Sequence, residues 1–138
     1  MISIVDTDAL LGLVSVDDPL HLRAKLLSQY FQDQNAALII SPTTLAEFSL
    51  VGLKRLGLAE MKKSLSSFLK QLVIEGVGAN DLHMAQELLA KQESKDHSFC
   101  DCCVMVLANR LHADCIFSFD RGYTKNGFVL AEDLVKKK

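Results

Sequence analysis

No apolar stretch in the sequence is long enough to cross a bilayer: the longest uninterrupted one, Cys102 to Ala108, falls far short of the roughly 20 residues that a helical span needs. The first residues carry no basic region ahead of an apolar one, and Asp6 and Asp8 interrupt them early, so no secretory leader is read and a cytoplasmic, soluble protein is expected, with no membrane partner. Charge of one sign is not in excess. Fifteen Lys and Arg stand against 17 Asp and Glu, a formal net charge of −2, which gives no overall basic surface of the kind that grips nucleic acid. Setting aside four acids as a cluster leaves a mildly basic remainder, so net charge names no partner. The cysteines, Cys100, Cys102, Cys103 and Cys115, fall late and mostly within one helical run, where a disulfide framework is unexpected. Together with His97 and His112 they match no zinc finger or ribbon spacing, and the pair Cys102-Cys103 lies in the apolar run, so core packing is the reading. Ser-His-Asp and Cys-His arrangements are missing, and Gly76-x-Gly78 lacks the rest of a dinucleotide fingerprint. Repeats and linkers are missing too. What remains is a chain of 138 residues, 49% hydrophobic and 23% charged, that reads as a single domain over 1–138 with a sizeable core.

Strand and helix signals alternate. Ile2-Ser3-Ile4-Val5 reads as a buried strand that stops on Asp6, and Ala9 to Val16 reads as an apolar turn of helix or loop. Asp18 and Pro19 open a helix as N-cap and first residue, running to about Asp33 with Leu20, Ala24, Leu27, Tyr30 and Phe31 on one face. Ala36 to Ile40 is a second strand, and Thr43 or Thr44 opens a helix that Gly57 ends. A further helix spans about Ala59 to Leu72, followed by a weak third strand, Val73 to Val77. Asn80 or Asp81 caps a helix to about Gln92, and Ser98 begins another that ends near His112. Cys115 to Phe119 is a fourth strand and Phe128-Val129-Leu130 a short fifth, ahead of a polar tail ending in Lys136, Lys137 and Lys138. Alternation of this kind implies crossover units. The expected fold is a three-layer α/β/α sandwich with a parallel sheet of about five strands.

Four acids fall where such a fold binds ligands, outside the carboxyl ends of the strands. Asp6 ends the first strand and Asp120 the fourth, while Glu47 and Asp101 lie in the first turns of helices. Each has a structural explanation of its own. Thr44 to Glu47 and Ser98 to Asp101 fit capping boxes, and Asp6 and Asp120-Arg121-Gly122 fit turns. Jointly they point further, because carboxylates packed closely repel unless a cation neutralises them, and hard oxygen ligands suit Mg²⁺ or Mn²⁺.

The chain resembles the PIN-domain ribonucleases, especially the VapC-like toxins of toxin-antitoxin pairs. The resemblance rests on Ile4-Val5-Asp6-Thr7-Asp8-Ala9-Leu10-Leu11, Ser41-Pro42-Thr43-Thr44-Leu45-Ala46-Glu47, Ser98-Phe99-Cys100-Asp101, and Ile116-Phe117-Ser118-Phe119-Asp120-Arg121 with Lys125-Asn126-Gly127-Phe128. It implies that Asp6, Glu47, Asp101 and Asp120 form a catalytic quartet binding one or two Mg²⁺ or Mn²⁺ ions, with Thr7 and Ser118 orienting the carboxylates. Asp8 falls where the family often has Asn or Ser, and stands either behind the ligands or as a cap for the turn at Ala9. The implied activity is a metal-dependent endoribonuclease that cleaves single-stranded RNA with a metal-activated water. Arg121, Lys125, Lys54 and Arg55 are candidates to meet backbone phosphates. An antitoxin partner and a homodimer are also implied; Val51, Leu53, Leu56 and Leu58 are candidates to receive the antitoxin. Two other readings stand beside this one. Asp6-Thr7-Asp8 meets the minimum of a haloacid dehalogenase-like phosphatase, although Ala9-Leu10 replaces the usual Gly-Thr. A non-catalytic module that binds RNA or protein would use the acids only as caps.

Overall fold

The structure is a computed structural model and describes residues 1–137. In chain order the elements are β1 (Ile2–Val5), α1 (Thr7–Val14), α2 (His21–Asp33), β2 (Ala37–Ile40), α3 (Pro42–Leu56), α4 (Leu58–Gln71), β3 (Val73–Ile74), α5 (Ala79–Ala90), α6 (Phe99–Arg110), β4 (Cys115–Phe117), α7 (Gly122–Lys125) and α8 (Ala131–Lys136). The strands form one parallel sheet in the order β3-β2-β1-β4. β1 is therefore central, with Ile4 opposite both Ile39 of β2 and Ile116 of β4.

Side chains that alternate along a strand face opposite sides of the sheet, and the packing follows that rule. Val5, Ile40, Cys115 and Phe117 join one core with Leu10 of α1, Phe31 of α2, Phe48 of α3 and Phe68 of α4. Ile4, Ile39 and Ile116 face the other way onto Val104, Met105, Leu107 and Ala108 of α6. The opposite side of α6 packs Cys102, Cys103 and Val106 against Ala85 of α5. This arrangement explains the unbroken apolar run: Cys102 to Ala108 are all buried because α6 is covered by the sheet on one side and by α5 on the other.

Several boundaries depart from the sequence reading. The stretch after Asp6 is a full helix, α1, capped by Asp6 itself. Asp18 accepts from Leu20 N at 2.8 Å, but it closes a turn there and α2 begins only at His21. Ser41, rather than Thr43 or Thr44, caps α3, its Oγ accepting from Thr44 N at 3.1 Å, with Pro42 as the first helical residue. The third strand shrinks to Val73–Ile74, and the fifth to a single parallel bridge between Ile116 and Leu130, so the sheet has four strands. Gly127 explains the latter: it takes φ 87, turning the chain so that it reaches β4 for one rung only. The polar tail carries α8, whose Ala131, Leu134 and Val135 pack on the core; Lys138 lies outside the described residues. Among the described residues no helix is long and apolar enough to cross a membrane.

Candidate active site

The carboxyl ends of β1 and β4 are joined one rung beyond β1, where Asp6 N donates to Phe117 O at 3.1 Å. Asp6 is thus fixed by the sheet and starts α1, with its Oδ1 accepting from Thr7 N at 2.8 Å. Its Oδ2 accepts from the buried hydroxyl of Tyr123 at 2.7 Å. Only 6% of Asp6 is exposed. Burial, reinforced by the charges of Asp8 and Asp101, pushes its carboxyl up to about 8 against the pull of the two hydrogen bonds. Desolvation disfavours a charge that no cation compensates.

Glu47 does not cap its helix. It is reached by Thr7, whose hydroxyl donates to Glu47 Oε1, and this turns the carboxylate toward Asp6. Asp101 does complete a capping box: Ser98 N donates to its Oδ2 at 2.8 Å, and Asp101 N donates to Ser98 Oγ at 3.2 Å. Its Oδ1 is left facing the Tyr123 hydroxyl at 3.5 Å. One carboxylate oxygen from each of Asp6, Glu47 and Asp101 lies within 4.8 Å of the others. Asp120 does not join that triple. Its Oδ1 accepts from Gly122 N at 2.8 Å, closing the expected turn, and its carboxylate gathers with Asp101 and His97. The four acids and His97 therefore form two overlapping triples that share Asp101.

Asp8 belongs to neither triple. Its Oδ2 accepts from Ser118 Oγ at 3.0 Å and Phe119 N at 2.8 Å, and its Oδ1 from Ala9 N at 2.7 Å. Burial raises its pKa, and these three donors oppose the rise. Asp8 thus clips α1 to the segment after β4, and Ser118 extends the clip by accepting from Asp120 N at 3.2 Å. A phosphatase would need the second acid of its Asp-x-Asp pair free to move a proton; here that acid is committed to backbone and hydroxyl donors.

The basic candidates separate. Arg121 pairs with Asp133 at 2.6 Å, and with Lys125, Asn126, Asp120 and His97 it lines a cleft of about 440 Å³. Lys54 and Arg55 occupy the last turn of α3, roughly 11 Å along the helix from Glu47, so the fold does not bring them to the acids. Among the described residues no Lys or Arg pairs with Asp6, Glu47, Asp101 or Asp120; the arginine ion pairs go to Glu132, Glu75, Asp81 and Asp133.

Two residues of the site escaped the sequence reading. Tyr123 had only its place three residues after Asp120 to recommend it. His97 is buried, and its ring touches the turn that carries Asp120, yet one histidine without a spaced partner gives no ligand pattern.

With this geometry in place, the chain can be compared with solved structures. It superposes on VapC20 of Mycobacterium tuberculosis, a sarcin-ricin loop cleaving toxin, with a TM-score of 0.84 and 22% identity, covering 94% of this chain and 97% of that one. The fold is that of a PIN domain. VapBC2 of Rickettsia felis, bound to a DNA fragment from its promoter, matches with a TM-score of 0.68 and 20% identity over 94% of this chain and 97% of that one. FitAcB of Neisseria gonorrhoeae follows at 0.62 and 19%, over 94% and 96%. No protein-family profile matches the sequence, and no curated protein does either. In this PIN fold the Asp6, Glu47 and Asp101 triple lies at the carboxyl edge of the sheet, at the end of its central strand.

Proposed function

We propose that the protein is a metal-dependent endoribonuclease that cleaves single-stranded RNA and acts as the toxin of a toxin-antitoxin pair. The observation that carries this reading is the convergence of Asp6, Glu47 and Asp101 on one point of a PIN fold, with no Lys or Arg among the described residues paired to them. Three hard oxygen donors with uncompensated charge fit Mg²⁺ or Mn²⁺, and the elevated pKa of Asp6 marks the charge deficit that such an ion would correct. A bound divalent ion supplies activation of water at neutral pH and relief of charge on the phosphoryl group.

The protein's own residues position that chemistry. Asp6 and Asp101 are held on a sheet end and a helix start, which fixes their separation, and Thr7 holds Glu47 against them. Tyr123 donates to Asp6 and keeps its Oδ2 oriented within the buried pocket. Arg121 and Lys125 line the adjoining cleft and would meet phosphates of a bound strand. That VapC20 is a sarcin-ricin loop cleaving toxin makes a stem-loop of that kind the first RNA to offer.

An antitoxin would meet the apolar positions left open on α3 and α4. Leu50, Leu53 and Leu58 are exposed, whereas Val51 and Leu56 pack against the core, so only part of the expected surface is available. A homodimer and a cytoplasmic location belong to the same proposal.

The test is cleavage of a labelled sarcin-ricin stem-loop and an unstructured RNA by chelator-stripped protein, with Mg²⁺ or Mn²⁺ added back. Cleavage that needs the ion and falls at least about 100-fold in Asp101→Asn is expected. Cleavage indifferent to both chelator and substitution, or none of any RNA with either ion, rejects the nuclease. Hydrolysis of a generic phosphomonoester that survives Asp101→Asn would point to the phosphatase instead.

A further inference from the structure

The imidazole of His97 is unaccounted for by any role so far described. Its side chain is 6% exposed, and its Nδ1 is buried with no hydrogen-bond partner. Buried ring nitrogens are ordinarily paired. Nδ1 faces Asp101 Oδ2 at 3.9 Å, too far for a hydrogen bond. It is, however, within the spacing of two ligands that each stand about 2.0–2.2 Å from a common ion. The other ring nitrogen lies 3.5 Å from Asn126 Nδ2. A nitrogen of this ring and one oxygen each of Asp101 and Asp120 fall within 4.8 Å of one another.

The backbone is shaped to allow this approach. A Cβ at Gly122 would fall on Cε1 and Nε2 of His97, well inside van der Waals contact, and 3.1 Å from Asp120 Oδ1. Only glycine lets the turn that presents Asp120 lie directly against the imidazole. The ring thus has three marks of a ligand: it is buried, its nitrogen is unpartnered, and it is seated beside two carboxylates by a close contact of the chain.

We propose that His97, Asp101 and Asp120 form a second cation site that takes a transition-metal ion through an imidazole nitrogen, and that this site distinguishes Mn²⁺ from Mg²⁺. Imidazole is a good ligand for the transition metals and a poor one for Mg²⁺, which keeps to oxygen. The Asp6, Glu47 and Asp101 triple offers oxygen alone and accepts either ion. The inference shares Asp101 with the proposed nuclease centre and rests on that reading for its biological use, but not for its test.

The test is Mn²⁺ spin-echo spectroscopy on the chelator-stripped full chain, with Mn²⁺ as the only metal. Wild type is expected to show a directly bound ¹⁴N, which becomes ¹⁵N when the protein is made with ¹⁵N-histidine. His97→Gln is expected to lose the nitrogen coupling and one of two Mn²⁺ equivalents, while Mg²⁺ affinity changes less than about twofold. Gly122→Ala, which displaces the ring, is expected to act the same way. A wild-type spectrum without nitrogen coupling overturns the proposal, as does a coupling unaltered in His97→Gln. Should the variants fail to fold, the isotope shift in wild type decides alone, supporting the site if present and overturning it if absent. Nitrogen coupling without RNA cleavage would sink the nuclease reading and leave this site standing; Mn²⁺-dependent cleavage without nitrogen coupling would do the reverse.

Discussion

Asp6→Asn separates the stability of the fold from the chemistry of the site. In metal-free wild type the buried Asp6 carboxyl titrates near 8, against 3.8 as its ordinary value. A group whose pKa is raised by folding binds its proton more tightly in the native state. Its contribution is therefore fully present below the ordinary carboxylate range and is lost as pH rises toward 8. Each pH unit within that window costs up to about 1.4 kcal/mol, so moving metal-free protein from about pH 5.5 to about pH 8 removes at most ~3 kcal/mol through this residue. For a domain of this size that corresponds to roughly 10 °C in Tm. Asparagine removes the titration with little disturbance of shape. Its Oδ1 can still accept from Thr7 N, and its Nδ2 can donate to the Tyr123 hydroxyl, which then turns its own proton toward Asp101 Oδ1 at 3.5 Å. The expected outcome is an inactive variant that, in chelator, melts above wild type at both pH values, by roughly 10 °C more at pH 8 than at pH 5.5, the two coming level only in the ordinary carboxylate range. Added Mn²⁺ should close much of the gap at pH 8, since an ion present at about 100 times its Kd stabilises its host by ~2.7 kcal/mol. Wild-type Mn²⁺ affinity should weaken by up to about tenfold per pH unit on going down from pH 8, because the ion must displace a proton. Thermal denaturation at both pH values, with and without Mn²⁺, reads all of this. Equal wild-type and Asp6→Asn melting temperatures in chelator at pH 8 would refute the reasoning.

Other perturbations follow from the same contacts. Tyr123→Phe removes a donor that lowers the Asp6 pKa, so the acid limb of the pH profile for kcat/KM should move to higher pH; an unmoved limb would mean that Asp6 does not set it. Asp8→Ala removes the acceptor for Ser118 Oγ, Phe119 N and Ala9 N and should cost about 2–3 kcal/mol in urea denaturation, whereas Asp8→Asn should cost less. An Asp8→Ala variant that folds as stably as wild type and loses only metal affinity would show Asp8 to be a ligand instead. Leu53→Glu together with Leu58→Glu should leave RNA cleavage intact and weaken capture of a co-expressed antitoxin; loss of cleavage would place these residues nearer the RNA than α3 and α4 allow.

Much of the arrangement was legible because it depends on strand ends. Parallel pairing forces Asp6 and the residues after Phe117 to one edge of the sheet; α3 follows β2 and begins at that edge, which brings Glu47 there, while α6 runs from that edge to feed β4, which brings Asp101. Their grouping was less legible. Local sequence could not show that Thr7 would bond to Glu47, or that Asp120 would gather with His97, since both depend on contacts far apart in the chain. Gly122 looked like an ordinary turn glycine, and only the packing shows that it makes room for a ring. The missed helix α8 had a readable stripe in Ala131, Leu134 and Val135, hidden by the lysines around it. The lost fifth strand turned on the φ of Gly127, which composition does not report.

The rung between Asp6 N and Phe117 O also sets an order of events during synthesis. Asp6 is made more than 100 residues before Phe117, Asp120 and Tyr123, which hold or surround it. Contacts of such long sequence separation form late. A chain still being translated, or cut short before Tyr123, therefore carries its first acid without the pocket that buries it. The pocket proposed above as a cutting centre is complete only once synthesis has passed Tyr123.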